Sequence, residues 1–262
     1  MPEKKFAIIV ASLRARSGKT LLARLIADYF LLAGETPEIF DTDAVERRLS
    51  ACFPERATVI DLERVTDQMK LFDTLEAPLP ETQVIDLTHR SFKKFFKLLQ
   101  EIDYAAVAQA RGIEPVIFYI FDRDAESYEQ GRLIRDHFKD CGFVLLENAQ
   151  LGEIGKDLRK NSAYLALKMH HPRMTLPQID PFFVGVIEDP KFSLSEFMRK
   201  AEGREPPPRA RVPPAEISLA YMSHEARATI AAWLKQAFRE LKRVVDELRA
   251  MSKASSEETF GP

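Results

Sequence analysis

Short apolar runs alternate with amphipathic segments over the first part of the chain. The runs predict strands because each is short and bounded by polar or turn-forming residues, and the segments between them have the apolar spacing of helices. The predicted strands lie at 6–11, 37–40, 57–62, 82–85, 115–121 and 143–146. Regular alternation of this kind predicts a doubly wound α/β fold, in which helices flank both faces of a mostly parallel sheet.

The helices between these strands are predicted from their apolar faces and stop signals. The first is expected at 19–32, where Gly34 supplies the residue that ends it. Others are expected at 63–75, at 92–99 with its phenylalanine-rich face, and at 125–139. Beyond residue 150 the pattern weakens. The pair Leu176-Pro177 and the apolar run at 182–187 predict one more short strand or a buried loop.

The C-terminal part differs in composition from the rest. A proline-rich stretch at 205–215 predicts a stiff connector, and a long helix is expected from 224 to 251. Its apolar stripe would pack on the sheet or on a partner chain. The predicted organisation is a main domain at 1–204, the connector at 205–215, a helical segment at 216–251 and a disordered tail at 252–262.

Composition and charge narrow the function classes. The chain has 262 residues and a formal net charge of −2, so any contact with nucleic acid must come from a local patch. Its two cysteines, Cys52 and Cys141, form no disulfide framework, which favours a reducing compartment. No segment resembles a signal peptide or is long and apolar enough for a membrane span. We therefore expect a cytoplasmic protein.

The segment between the first strand and the first helix carries the clearest chemistry. It reads Ser-Leu-Arg-Ala-Arg-Ser-Gly-Lys-Thr from Ser12 to Thr20. A strand, a tight loop, Gly-Lys-Thr and a helix form the context of a phosphate-binding loop, although the usual pattern has glycine where this chain has Leu13. Lys19 would reach the β- and γ-phosphates of a nucleotide, and Thr20 would hold Mg²⁺. The alternative is an ordinary surface turn.

Backbone N–H groups of this loop and of the helix start would face the phosphates. The residues expected to bind the nucleotide in this way are Arg16, Ser17, Gly18, Lys19, Thr20 and Leu21. Carboxylates also follow the predicted strands, at Asp41, Asp43 and Asp86. Because ligands of such sheets bind beyond the carboxyl ends of the strands, these side chains are expected to share one site with the loop.

These motifs together resemble those of the ParA/MinD family of P-loop ATPases, over roughly residues 5–150. The family's deviant loop, K-G-G-x-G-K-T, falls on Arg14 to Thr20, and glycine is missing at 13, 15 and 16. The resemblance implies that Arg14 stands where the family's signature lysine reaches across a dimer to the partner's phosphates. Arginine keeps that charge.

The resemblance also assigns roles to the other polar residues. Asp43 would orient the attacking water, Asp41 would hold a water bound to Mg²⁺, and Asp86, in a strand like the Walker B strand, would contact Mg²⁺ through water. Asn148 would bind the adenine edge. From the residues alone, the alternatives are that Asp43 is a helix cap and that Asn148 is a turn residue.

The family resemblance implies a Mg²⁺-ATP-dependent homodimer that hydrolyses slowly. It would act as a switch in DNA partition, plasmid transfer or cargo positioning, with a partner protein that stimulates hydrolysis. One alternative is a small-molecule kinase or ligase, whose acceptor pocket would be lined by Arg16, His89 and Arg90. Another is a nucleotide-binding scaffold that lost hydrolysis with its loop glycines.

The predicted C-terminal helix has an excess of basic side chains. Those lying between the apolar positions are Lys235, Arg239, Lys242, Arg243 and Arg249. Relatives in the family bind DNA without sequence preference through such surfaces, or use an amphipathic C-terminal helix on membranes. We expect contact with DNA here, because polar residues follow the helix.

Overall fold

The computed structural model describes residues 5–73, 81–170, 172–203 and 222–258. The predicted connector at 205–215 and the last part of the predicted tail, 259–262, lie outside the described residues.

A seven-stranded parallel sheet forms the centre of the molecule. Its strands lie in the order β3-β2-β4-β1-β5-β6-β7. They are β1 (Lys5–Ala11), β2 (Glu38–Asp41), β3 (Ala57–Val59), β4 (Gln83–Asp86), β5 (Ile113–Ile120), β6 (Gly142–Asn148) and β7 (Arg173–Leu176). Every neighbouring pair is parallel. The six predicted strands are present. The edge strand β7 ends at Leu176, the first residue of the pair Leu176-Pro177 that indicated a further short strand or a buried loop.

Ten helices surround this sheet in the described part of the chain. They are α1 (Lys19–Leu32), α2 (Arg48–Cys52), α3 (Val65–Asp73), α4 (Phe92–Glu101), α5 (Tyr104–Ala110), α6 (Ala125–His137), α7 (Ser162–His170), α8 (Pro181–Glu188), α9 (Leu194–Ala201) and α10 (His224–Glu258). Gly34 ends α1, as predicted. It has a φ of 86°, and its N–H donates to the carbonyl oxygen of Leu31 at 3.2 Å.

The prediction of a strand or a buried loop at 182–187 is wrong, because this run lies in α8. Pro181 occupies the first turn of that helix, and the Asp180 carboxylate accepts a hydrogen bond of 2.9 Å from the Phe182 N–H. An aspartate cap followed by proline is a helix start, and it decides the conformation of an apolar run that fits either type of element.

The two faces of the sheet are covered by different helices. On β1, Phe6, Ile8 and Val10 join a core that includes side chains of α1, α2, α8, α9 and α10. The alternate positions of β1 join a second core, formed with α3, α4, α5, α6 and α7. An all-parallel sheet between two helical layers confirms the predicted doubly wound α/β fold.

The C-terminal helix packs on its own chain. Ile230, Leu234, Leu241 and Leu248 are buried in the core that contains α1 and α9. The helix continues to Glu258, beyond the predicted end at 251 and into the segment expected to be disordered. Among the described residues, no helix combines the length and apolar character needed to cross a membrane.

Candidate functional site

A cavity of about 630 Å³ opens at the carboxyl edge of the sheet, beside β1. It gathers nearly all the residues that the sequence assigned to a nucleotide site. The predicted residues that line it are Arg16, Ser17, Gly18, Lys19, Thr20, Leu21, Asp41, Asp43, Asp86 and Asn148. Arg14 is the predicted residue outside this lining.

The loop between β1 and α1 is built with fewer glycines than the usual phosphate-binding loop. Leu13 packs against the core on the α4 side, so a glycine is replaced there by an anchoring side chain. Arg16 adopts a left-handed conformation with φ of 56°, which costs a non-glycine residue about 1 kcal/mol or more. Gly18 has a φ of 95°, and here glycine is retained.

Asn148 holds this loop in place. Its Nδ2 donates to the carbonyl oxygen of Ser17 at 2.9 Å, and its Oδ1 accepts from the N–H of Gln150 at 3.0 Å. A Cβ atom on Gly18 would lie 2.6 Å from Asn148 Nδ2, so the close approach itself requires glycine. Sequence reasoning assigned Asn148 to the adenine edge and missed this supporting contact, which joins residues 131 positions apart.

Lys19 lies inside the loop that it follows. Its Nζ donates to the carbonyl oxygen of Arg14 at 2.6 Å and to Ser17 Oγ at 3.3 Å. Burial lowers the pKa of Lys19, against the opposing effect of Asp86 and other nearby carboxylates. The acceptors of the ammonium group are thus a carbonyl oxygen and a hydroxyl oxygen, both neutral. Charged phosphate oxygens would form stronger hydrogen bonds with it.

The two strongest candidates for Mg²⁺ ligands are in direct contact. Thr20 Oγ1 donates to Asp86 Oδ2 at 2.7 Å. Burial raises the pKa of Asp86 to about 7, and the charges of Asp41 and Asp43 add to this rise, while the Thr20 hydrogen bond and Lys19 oppose it. Ionisation of Asp86 is thus unfavourable in the metal-free protein, and a divalent cation at this buried point would favour the ionised form.

Asp41 is fully buried and forms two hydrogen bonds to backbone N–H groups. Its Oδ1 accepts from Asp43 at 3.0 Å, and its Oδ2 accepts from Ser50 at 2.8 Å. The carboxylate therefore fixes the turn that carries Asp43. In the described part of the chain no three His, Cys, Asp or Glu side chains are grouped as a metal cluster. Mg²⁺ does not require one, since it keeps several waters and binds substrate phosphates.

Asp43 both caps a turn and faces the cavity. Its Oδ1 accepts from the N–H groups of Val45 at 3.2 Å and Glu46 at 3.0 Å, and its Oδ2 accepts from Thr88 Oγ1 at 3.3 Å. Burial acts to raise the pKa of Asp43, but these hydrogen bonds and the nearby Arg90 outweigh it and leave the pKa lowered. The capping contacts expected of a structural aspartate are therefore present, and the side chain is an anion.

Thr42 joins the loops that follow β2 and β4. Its Oγ1 donates to the carbonyl oxygen of Asp86 at 2.8 Å and accepts from the N–H of Thr88 at 2.8 Å. This arrangement fixes Asp43 relative to Asp86. His89 and Arg90 follow directly and line the cavity, and the Arg90 guanidinium lies 4.0 Å from Asp43 Oδ1.

Arg14 points toward the start of α6. Its Nε lies 3.0 Å from Asp124 Oδ2, and its Nη2 lies 2.7 Å from Glu126 Oε2. These ion pairs hold the guanidinium away from the residues that line the cavity. For Arg14 to meet the phosphates of a partner chain, both contacts would have to be exchanged for new ones.

An apolar wall completes the cavity, and sequence reasoning did not find it. It consists of Leu176, Pro177, Ile179, Val184, Ile187 and Trp233. Trp233, the chain's single tryptophan, lies on α10 and donates from Nε1 to the carbonyl oxygen of Pro177 at 2.9 Å. The C-terminal helix therefore contributes a side chain to the same cavity as the loop.

The pKa of Asp86 gives a prediction for the metal-free protein. Because this pKa is about 7 in the folded chain and near 3.8 in an unfolded one, the folded state binds more protons between these values, and its stability should fall as pH rises through that window. Asp86→Asn should remove this slope and raise the free energy of unfolding at pH 8 by about 2–4 kcal/mol.

Thermal unfolding of both proteins in EDTA between pH 5 and pH 8 measures this. A rise in Tm of roughly 5 °C or more at pH 8 is expected for Asp86→Asn. A wild-type protein that gains stability relative to the variant as pH rises would show that Asp86 is already stabilised as an anion.

No protein-family model and no curated protein matches the chain. Similar solved structures include a nucleotide-binding protein in complex with ADP from Archaeoglobus fulgidus, with 15% identity, a TM-score of 0.47 and coverage of 72% of this chain and 88% of that one. The MinD cell division protein of Aquifex aeolicus has 15% identity and a TM-score of 0.38, with 77% and 99% covered. A plasmid partition protein from Borrelia burgdorferi has 13% identity and a TM-score of 0.36, with 75% and 99% covered. Likenesses this distant concern the fold alone.

Proposed function

We propose that this chain binds Mg²⁺-ATP at the loop between β1 and α1, hydrolyses it slowly and uses the ATP and ADP forms as two states of a switch. One observation carries the proposal. Lys19, Thr20, Asp43 and Asp86 converge on a single cavity that also has an apolar wall. Charged groups for phosphates and metal at one side, with an apolar surface for a base at the other, are the parts that a nucleotide requires.

The phosphates are assigned to the start of α1. Its first N–H groups lack intrahelical partners and, with Lys19, form an anion-binding site. The base is assigned to the apolar wall, which includes Trp233 and Pro177. A volume of about 630 Å³ is in the range of small-molecule sites.

Mg²⁺ is assigned to Thr20 and Asp86, and Asp41 is assigned to a water bound to the ion. The hydroxyl and carboxylate oxygens lie 2.7 Å apart, so both could contact one ion or its waters after the hydrogen bond between them is exchanged. The ion would neutralise charge on the β- and γ-phosphates. Asp43 is assigned to the attacking water, because its carboxylate is ionised and lines the same cavity.

Phosphate release from Mg²⁺-ATP tests the proposal. The wild-type protein should release phosphate slowly, and EDTA should stop the release. ATP binding without any release would favour the non-hydrolysing scaffold. The absence of both binding and release would refute the proposal.

Dimerisation on ATP is part of the proposal and depends on Arg14. Arg14→Ala should bind ATP as a monomer and fail to dimerise with it, whereas Arg14→Lys should retain more dimer because the charge is kept. Weakening the resting ion pairs with Asp124→Asn and Glu126→Gln should have the opposite effect and increase the dimer at a given ATP concentration. Asparagine can still cap α6, since Asp124 Oδ1 accepts from the Ser127 N–H at 2.8 Å.

Sedimentation velocity with ATP and with ADP measures these populations. If Arg14→Ala dimerises normally with ATP, Arg14 makes no contact that the dimer requires. In that case the ion pairs with Asp124 and Glu126 are its whole role.

A small-molecule kinase or ligase is the second candidate, and one observation favours it. Arg16, His89 and Arg90, the residues expected for an acceptor pocket, all line the cavity, together with Arg48. Such an enzyme would transfer the γ-phosphoryl group to an acceptor oxygen and release ADP. Product analysis with candidate acceptors distinguishes it from the switch, since the switch needs water alone.

Contact with DNA through α10 has less support. Lys242 pairs with Asp246 at 2.6 Å and Arg243 with Glu247 at 2.7 Å, both on the same helix. Arg249 lies 3.7 Å from Glu35. Lys235 and Arg239 are exposed, so they are the residues to which a DNA contact is assigned. The partition or transfer role, and a stimulating partner protein, follow from the family resemblance.

A further inference from the structure

Besides Lys19, two charged side chains of α1 are buried, and both lie farther along the helix than the loop. Arg24 is 3% exposed and Asp28 is 1% exposed. They lie one and two helical turns after Thr20, so they continue the face of the helix that begins at the phosphate site. Burying a charge is costly unless it is paired and hydrogen-bonded, which makes the partners of these two residues informative.

Arg24 contacts the C-terminal end of α8. Its Nη1 donates to the carbonyl oxygens of Ile187 at 2.6 Å and Asp189 at 3.2 Å, and its Nη2 donates to the carbonyl oxygen of Phe192. The last carbonyl groups of a helix have no intrahelical partners and carry partial negative charge. A guanidinium with several donors in a fixed plane is suited to hold this end of α8 at one distance and angle from α1.

Asp28 contacts the start of α9 through its carboxyl group. Its Oδ1 accepts from the N–H of Ser195 at 3.1 Å, in the first turn of α9. The N-terminus of a helix favours a negative charge, as its C-terminus favours a positive one. One face of α1 therefore holds the end of α8 through Arg24 and the start of α9 through Asp28, each by hydrogen bonds to backbone groups.

The helix that Arg24 holds carries part of the apolar wall. Val184 and Ile187 of α8 line the cavity, and the carbonyl oxygen of Ile187 is itself an acceptor for Arg24. At its other end, α1 begins with Lys19 and Thr20, which belong to the phosphate side. A single buried side chain thus connects the helix of the phosphate loop to the wall assigned to the base.

We infer that Arg24 is a positioning residue that sets the apolar wall relative to the phosphate loop, and so determines how much the base contributes to nucleotide binding. This inference rests on the proposed function, with a nucleoside triphosphate as the ligand class. Arg24 itself does not line the cavity. Its replacement should therefore weaken the binding of ligands that have a base and leave the binding of ligands that have only phosphates unchanged.

The test compares Mg²⁺-ATP with Mg²⁺-tripolyphosphate, which carries the phosphates and no base. Both are titrated by calorimetry into the wild type, Arg24→Lys and Arg24→Met. The affinity of Arg24→Met for ATP should fall at least about tenfold, while tripolyphosphate binds as to the wild type. Arg24→Lys keeps the charge but has fewer donors, so its loss for ATP should be smaller. This variant also keeps the test valid if Arg24→Met does not fold.

Arg199→Met is the matched control. Arg199 donates from α9 to the carbonyl oxygen of Leu31 in α1 at 2.9 Å, so it makes the same kind of contact between helices. It does not line the cavity. Its replacement should leave the affinity for both ligands unchanged.

Trp233 provides a second readout. Because it belongs to the wall, its emission without ligand should shift to longer wavelength in Arg24→Met and remain unchanged in Arg199→Met. If Arg24→Met loses the same affinity for ATP as for tripolyphosphate, or loses none for either, the inference is overturned. The proposed function still stands in that case, provided that the wild type binds ATP. Failure of the wild type to bind both ligands would overturn the proposed function first, and the inference with it.

Discussion

Replacing Lys19 by alanine should weaken ATP binding at least about tenfold, a loss of about 1.4 kcal/mol. Its ammonium group is held at the loop by the carbonyl oxygen of Arg14 and by Ser17 Oγ. A triphosphate would offer charged oxygens in place of these neutral partners, and charge-assisted hydrogen bonds are the stronger kind. Calorimetry with Mg²⁺-ATP measures the loss directly.

The matched control for this variant is Lys93→Ala. Lys93 is exposed on α4 and does not line the cavity, so the control removes the same charge without touching the site. It should bind ATP like the wild type. Equal ATP affinity in Lys19→Ala and the wild type would mean that Gly18, Lys19 and Thr20 form an ordinary surface turn.

Replacing Asp43 by asparagine should slow hydrolysis about 100-fold and leave ATP binding nearly unchanged. Asparagine keeps an oxygen that can accept from the N–H groups of Val45 and Glu46, so the turn remains capped. What it loses is the negative charge that we propose orients and activates a water. The ATP form should therefore accumulate, and it should be dimeric.

Comparison with Asp43→Ala separates the two roles of this residue. Alanine removes the cap as well as the charge, so it should lower Tm, whereas asparagine should not. Steady-state phosphate release and thermal unfolding of the two variants provide both values. If Asp43→Asn turns over ATP at the wild-type rate, Asp43 is a capping residue alone.

The fold could be predicted largely because its signals are local. The apolar runs marked six of the seven strands, and Gly34 marked the end of α1. The error at 182–187 arose because a short apolar run fits a strand and a helix equally well. The cap formed by Asp180 was the signal that separates them, and it lies outside the run itself.

The site was predictable in part for the same reason. Strand ends of a parallel sheet meet at one edge, and Asp41 and Asp86 are register partners on neighbouring strands. The contact between Thr20 and Asp86 follows from that geometry. The roles of Lys19, Asp43 and Asp41 in nucleotide chemistry remain predictions.

Other features could not be predicted, because they join distant parts of the chain. Arg14 pairs with Asp124, 110 positions away, and Arg24 reaches carbonyl oxygens more than 160 positions away. Carbonyl acceptors have no signature in the sequence. Trp233 belonged to the apolar stripe of a helix, and nothing in that stripe indicated that one member would reach the cavity.

The central claim is that this cavity binds a nucleotide, and titration of the wild-type protein with ATP tests it most directly. The emission of Trp233 is followed in parallel with calorimetry, because this residue is the chain's single tryptophan and lines the cavity. The account predicts saturable binding at one site per chain, stronger with Mg²⁺ than with EDTA, together with a change in Trp233 emission. The absence of both heat and emission change at millimolar ATP with Mg²⁺ would contradict it.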